Sequence, residues 1–170
     1  FIKVDEFLQT SQSNIWAFGD AIGKHMFKHV ANEEASIAAH NGLHDEKIKM
    51  KYHAVPHAVF SFPQIASVGL TQKQAEKEGY NLLVGTAQYD SVAKGQAMME
   101  STGFAQAIVK KEYYQILAFN SIDAYATMII QEVITIMSVK GEIGHIGMAM
   151  HIHPALPELI QRALANIEEV

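Results

Sequence analysis

Three β-rich stretches follow one another through the middle of the chain, near Leu82–Tyr89, Phe104–Lys110 and Tyr114–Asn120, divided by Gly103 and the Lys111-Glu112 pair. Strand-length runs separated by turn residues predict an antiparallel meander. A very apolar segment, Tyr125–Met137, follows at helical length. The closing helix is expected to start near Pro157, because proline at a helix start gives up only an N–H that would be unpaired anyway. Helices grouped around a run of adjacent strands place the chain in the α+β class, an antiparallel β-meander flanked by helices.

Upstream, Pro56–Leu70 predicts a strand pair or bent strand broken at Pro63. Thr71-Gln72-Lys73-Gln74 is a capping box, so a short helix starts there and ends at Gly79. Residues 1–20 read as two short strands around the polar turn Gln9–Asn14, the second running from Asn14 to Phe18 and ending at Gly19-Asp20. A loop with Gly23 leads to a helix over Met26–His40. Phe27, Val30, Ala31, Ala35 and Ala38 share one face at helical spacing, and Gly42 is the expected stop. The charged stretch Asp45–Lys51 has no apolar periodicity and is the candidate boundary between a part spanning 1–45 and one spanning 50–170.

With 170 residues, 49% hydrophobic and 18% charged, the chain has enough apolar side chains for a core and room for one domain plus a piece of another. A formal charge of −5 without a Lys/Arg run argues against a nucleic-acid surface. No apolar stretch is long enough to span a bilayer, and no signal peptide is recognisable, so no membrane association is expected. The absence of cysteine excludes a disulfide scaffold and is compatible with the cytoplasm. Phe1-Ile2-Lys3-Val4-Asp5 begins without Met and directly in strand-like alternation, so the chain reads as part of a longer protein.

The chemistry concentrates near the C-terminus, in His151-Ile152-His153-Pro154-Ala155-Leu156-Pro157-Glu158. An imidazole whose proton affinity and orientation are set by a nearby carboxylate is an acid/base pair near neutral pH. By spacing alone, the same residues also fit a loop histidine beside an ordinary first-turn glutamate. Nine histidines invite a metal reading, since His25/His29 and His40/His44 lie one turn apart and His151/His153 alternate. None of these pairs has an evident third ligand, and no metal site is expected. Met128–Ile134 reads as a core or subunit-interface helix.

Three segments in order resemble the C-terminal part of the pyridine nucleotide-disulfide oxidoreductases, nearest to dihydrolipoamide dehydrogenase and its relatives. The first is Ile15-Trp16-Ala17-Phe18-Gly19-Asp20 followed by Met26-Phe27-Lys28-His29-Val30-Ala31-Asn32-Glu33-Glu34. The second is Val59-Phe60-Ser61-Phe62-Pro63-Gln64-Ile65-Ala66-Ser67-Val68-Gly69-Leu70-Thr71, and the third is His153-Pro154 with Glu158. The resemblance implies that 1–45 ends an FAD-binding domain and that 50–170 is a dimerisation domain. It further implies that Asp20 hydrogen-bonds FAD hydroxyls, with Met26, Phe27, Lys28 and His29 at a helix start beside the flavin pyrimidine edge. His153 would deprotonate a dithiol substrate or an interchange thiol, oriented by Glu158, and the pair from one subunit would complete the site of the other in a homodimer. The parent enzyme would pass electrons between NAD(P)H and a disulfide such as lipoamide through FAD and a cysteine pair.

Ala155 departs from the family's usual Thr, Pro157 is unusual before the Glu, and the chain lacks the C-terminal cysteine pair typical of mercuric reductases. With no Cys and no G-x-G-x-x-G turn, the 170 residues alone are expected to show no turnover. Two alternatives stand beside this reading. One is an oligomerisation module without retained chemistry, and the other is a flavoenzyme of the same family acting on a different disulfide or a metal ion.

Overall fold

The computed structural model describes residues 1–99 and 102–170. They form two compact units, Phe1–Tyr52 and His53–Val170.

In the first unit the two expected strands are reduced to isolated bridges, Val4 to Thr10 and Gln9 to Trp16. The cause is local. Oδ1 of Asp5 accepts the N–H groups of Phe7 and Gln9 at 2.9 Å each, so a side chain takes donors that a ladder would need. Leu8 and Asn14, both at φ 64°, turn the chain further away from extended geometry. A 3₁₀ turn at Gly19–Ala21 leads to helix α1, Lys28–Leu43. This helix begins later and ends later than the expected Met26–His40. Gly42 lies inside it, and the helix stops where His44 turns extended at φ −125°.

The buried face of α1 also differs from the expected one. Val30, Ile37 and Ala38 are joined there by Glu34 and Asn41, both fully buried. Each of these polar groups is paired, as burial demands. Asn41 donates to the carbonyls of Phe7 and Ile48 at 2.8 Å and accepts the Ile48 N–H at 2.7 Å. Glu34 accepts the Gly19 N–H at 2.6 Å and the Tyr52 hydroxyl at 2.7 Å. Burial, and then the Glu34 carboxylate, push the Tyr52 hydroxyl well above the usual phenol range. Apolar periodicity does not register such polar residues and so leaves them off the buried face.

The second unit holds a six-stranded, wholly antiparallel sheet flanked by helices. In chain order the elements are β1 (Pro56–Val59), β2 (Gln64–Gly69), α2 (Gln72–Lys77), β3 (Leu82–Gln88), α3 (Ala93–Ala97), β4 (Phe104–Lys110) and β5 (Gln115–Asp123). Then follow α4 (Ala126–Ser138), α5 (Ile143–Gly147), α6 (Glu158–Ala165) and β6 (Glu168–Glu169). The spatial order is β1-β2-β5-β4-β3-β6. Strands β3, β4 and β5 form the expected meander, and the β1–β2 hairpin joins it through β2 against β5. The fold class is α+β, as the residue pattern indicates. Strand β5 runs past Asn120 because both neighbours extend its ladder, pairing Gln64 with Asp123 and Phe104 with Ile122.

One face of the sheet carries Ala66, Val68, Ala105, Ala107, Val109 and Phe119, all buried in one cluster with the helices. Helix α4 adds Ile129, Ile130, Val133 and Met137, and α6 adds Leu159, Ile160, Ala163 and Leu164. Each large aliphatic side chain so buried contributes about 1.5–3 kcal/mol. These two stripes fix the two helices from which the site below is built. Gly85 brings α6 close, since a Cβ there would stand 2.1 Å from the carbonyl oxygen of Ala163. The Thr71 capping box forms as the sequence predicts, with the Gln74 N–H on the Thr71 hydroxyl. Helices α3 and α5, five residues each, and strand β6, two residues, are too short to leave a periodic signal.

Candidate functional site

Helix α6 starts immediately after Pro157, whose φ of −57° and ψ of −20° already suit a helix. Glu158 is therefore its first residue, and the carboxylate turns back over the segment leading in. Oε1 lies 2.8 Å from Nδ1 of His153, and Oε2 accepts the Ala155 N–H at 2.8 Å. The His153–Pro154 peptide bond is cis. The imidazole side chain is 68% exposed and the carboxylate 22%, so the base faces outward while its partner is shielded.

The hydrogen bond from His153, then the Ala155 N–H, hold the Glu158 carboxyl below the usual carboxylate range, with a smaller contribution from the Arg162 charge. An ionised carboxylate facing Nδ1 favours the tautomer with its proton on that nitrogen. The Nε2 lone pair is then presented outward as a proton acceptor. A groove of about 480 Å³ adjoins the pair, lined among others by Ser91, Gln96, Gln161 and Arg162.

A second imidazole–carboxylate contact, which no motif in the sequence signals, lies just upstream. Nε2 of His151 is 2.9 Å from Oε1 of Glu132 on α4. The two lie 19 positions apart in sequence, so no local spacing could reveal the contact.

The remaining sequence candidates belong to the first unit. Asp20 is exposed in the Gly19–Ala21 turn. This turn is tied to α1 by the Gly19–Glu34 hydrogen bond, and Gly19 takes the left-handed φ of +66°, where a Cβ would also stand a tight 3.2 Å from the Ala31 methyl. Met26 is exposed ahead of the helix, Phe27 is its N-cap residue, and Lys28 opens it with Nζ on Asn32 Oδ1 at 2.5 Å. The His29 ring stacks on Phe27 at 5.4 Å. No side chain caps α1, and its first turn holds no acidic residue, so its positive end is not neutralised from within. The histidine pairs at helical spacing are engaged in other ways. His25 stacks on Tyr52 and His40 on His44. Among the described residues no three His, Cys, Asp or Glu side chains are grouped to hold a metal ion, and no helix is long and apolar enough to cross a membrane.

Residues 55–164 match the family model of the pyridine nucleotide-disulphide oxidoreductase dimerisation domain. Mycothione reductase of Mycobacterium tuberculosis is 36% identical over 172 residues, covering 98% of this chain and 38% of that protein. Dihydrolipoyl dehydrogenase of Bacillus subtilis is 32% identical over 164 residues, covering 95% of this chain and 34% of that protein. Among solved structures, the HOCl-induced flavoprotein disulfide reductase RclA of Escherichia coli superposes with a TM-score of 0.86 at 24% identity, over 96% of this chain and 38% of that one. LpdA of Mycobacterium tuberculosis does so with a TM-score of 0.90 at 19% identity, over 97% of this chain and 36% of that one. The chain thus spans well under half the length of the relatives it matches. With the family model covering most of the sheet unit, this chain belongs to the pyridine nucleotide-disulphide oxidoreductases and carries their dimerisation domain.

Proposed function

We propose that the chain is part of an FAD-dependent NAD(P)H:disulfide oxidoreductase, with residues 1–45 ending the FAD-binding domain and 50–170 forming the dimerisation domain. The observation that carries this reading is the His153–Glu158 contact at 2.8 Å, with an exposed ring on a shielded carboxylate. Disulfide chemistry proceeds through thiolates, and a thiol of ordinary acidity is mostly protonated at neutral pH. His153 accepts the thiol proton at Nε2. Glu158 keeps the other ring proton on Nδ1 and stabilises the imidazolium that forms. The protein acts as a homodimer in which each His153–Glu158 pair serves the partner's site, and its location is cytoplasmic.

The first unit suits FAD on chemical grounds. Asp20 is an exposed carboxylate, suited to accept from ribityl or ribose hydroxyls, on a glycine-bearing turn that permits close approach. Met26, Phe27, Lys28 and His29 form the uncapped start of α1, whose dipole favours negative charge. Bound FAD would supply the electron relay between NAD(P)H and the disulfide. The substrate is a low-molecular-weight disulfide. Lipoamide is one such compound, and the Gln96, Gln161 and Arg162 side chains of the groove favour a more polar one, such as mycothione.

The test uses the full-length protein, loaded with FAD and supplied with NADH or NADPH and each disulfide in turn. Replacing His153 by Ala is expected to lower turnover by about 10²–10⁴-fold, the usual contribution of a positioned base. Unchanged turnover would mean that the domain only holds subunits together.

A further inference from the structure

The segment that carries His153 has no support from its own backbone. From Met150 to Ala155, no N–H or C=O takes part in a backbone-to-backbone hydrogen bond among the described residues. Side chains hold it instead. At its C-terminal end Glu158 grips both His153 and the Ala155 N–H. At its N-terminal end the anchor is His151, with Nε2 at 2.9 Å from Glu132 Oε1 and Nδ1 at 3.0 Å from the Ala149 carbonyl oxygen. The His151 side chain is only 10% exposed, whereas its neighbours Met150 and Ile152 are 99% and 81% exposed. His151 is thus the inward-pointing residue of an otherwise solvent-facing stretch. Glu132 sits on α4, which is fixed to the sheet by Ile129, Ile130, Val133 and Met137.

We infer that His151 and Glu132 form a positioning pair that fixes the loop to α4 and thereby aims the His153 ring, an inference that rests on reading His153 as the acid/base group. Only Ile152 lies between His151 and His153, a reach of roughly 7 Å in extended chain, so little slack lies between anchor and base. With the Glu132 contact gone, the stretch keeps its tie to Glu158 and the short His151–Ala149 contact but loses its link to α4. The His153 ring then has to keep its geometry through one contact that is largely open to solvent. Misplacing a reacting group by about 1 Å can cost on the order of 10²-fold in rate.

The tautomer of His153 provides a readout that does not depend on catalysis. In the 170-residue chain, correlations between the ring nitrogens and ring protons tell which nitrogen of His153 is protonated. The original sequence is expected to show the Nδ1–H form. Glu132→Leu, of similar size, is expected to shift His153 towards a mixture, whereas Glu132→Gln retains an acceptor oxygen and keeps the original pattern. An unchanged His153 in Glu132→Leu overturns the inference. If that variant fails to fold by circular dichroism, His151→Leu, which also removes the contact with Glu132, is judged by the same criterion. In the full-length FAD-loaded protein, Glu132→Leu is expected to lower kcat with a disulfide by about 10²-fold at little change in KM. Reduction of an acceptor that takes electrons directly from the flavin is expected to stay as it was. A tautomer shift without a kcat change supports the positioning pair and refutes His153 as the base. A kcat loss with an unchanged His153 spectrum overturns the pair.

Discussion

Replacing Glu158 by glutamine leaves one acceptor oxygen where the structure uses two. Oε1 now faces the His153 ring and Oε2 the Ala155 N–H, each at 2.8 Å. The amide of glutamine has a single oxygen and an NH2 group, and the two donors cannot both be served. A backbone N–H can only donate, so the oxygen is expected to settle on Ala155. The NH2 group then points at Nδ1 of His153, which becomes an acceptor, and the ring proton moves to Nε2. Such a ring is well formed and similarly placed, but the nitrogen that should take a proton already carries one. The expected loss therefore approaches that of removing the base, about 10²–10⁴-fold, or roughly 2.7–5.4 kcal/mol of barrier. Two assays check this in Glu158→Gln: disulfide-dependent NAD(P)H oxidation by the full-length protein, and the His153 ring-nitrogen spectrum of this chain. Activity within about threefold of the original together with a retained Nδ1–H form would refute the reasoning, since Glu158 would then have no hold on the tautomer.

Three further outcomes are expected. Gly85→Ala drives a methyl group to within 2.1 Å of the Ala163 carbonyl oxygen and 2.9 Å of the Ile167 backbone nitrogen. Neither backbone atom yields cheaply, so about 1–3 kcal/mol of stability should be lost in a urea melt, with α6 and Glu158 displaced together. Glu34→Ala orphans the Gly19 N–H and the Tyr52 hydroxyl inside the first unit, at a cost of about 3 kcal/mol in the same assay. Burial raises the Asp123 carboxyl above its ordinary range, partly opposed by the Ser121 hydroxyl and the Tyr125 N–H. The stability associated with that raised value is present at acid pH and lost as pH rises through it. Asp123→Asn keeps the Tyr125 N–H on its single oxygen and turns the Ser121 hydroxyl from donor to acceptor of the amide, so it should flatten that part of the stability–pH curve, as melts across pH 3–8 would reveal.

Glu158 has the opposite linkage. Its carboxyl is held low, first by the hydrogen bond from His153, so its contribution is present above the ordinary glutamate value and lost as pH falls through the lowered one. The contact between His153 and Glu158 is therefore expected to outlast mild acid.

Residues that act on their sequence neighbours were legible without a fold. The Thr71–Gln74 box, the meander from Leu82 onward, the apolar helix after Asp123 and the five-residue step from His153 to Glu158 are all set by local spacing. Their periods, caps and turns are properties of a few consecutive side chains, and the family resemblance rests on the same short segments. What failed at this level failed for definite reasons. The strands expected before Gly19 collapse to bridges because Asp5 captures two backbone donors. The inner face of α1 keeps the expected Val30 and Ala38 but also takes in Glu34 and Asn41, which are buried by partners 15, 18 and 34 residues away in sequence.

Only tertiary structure decided the rest. The β1–β2 hairpin joins the sheet beside β5 through a pairing that skips β3 and β4, and no local pattern specifies that choice. Likewise, Glu132 faces His151 only because α4 packs on the sheet in a rotation set by its apolar stripe. Sequence alone determined which side chains can do acid/base chemistry and how near two of them lie along the chain. The folded sheet decided what anchors them, because a contact between distant residues depends on the packing of whole elements and not on the spacing within any one of them.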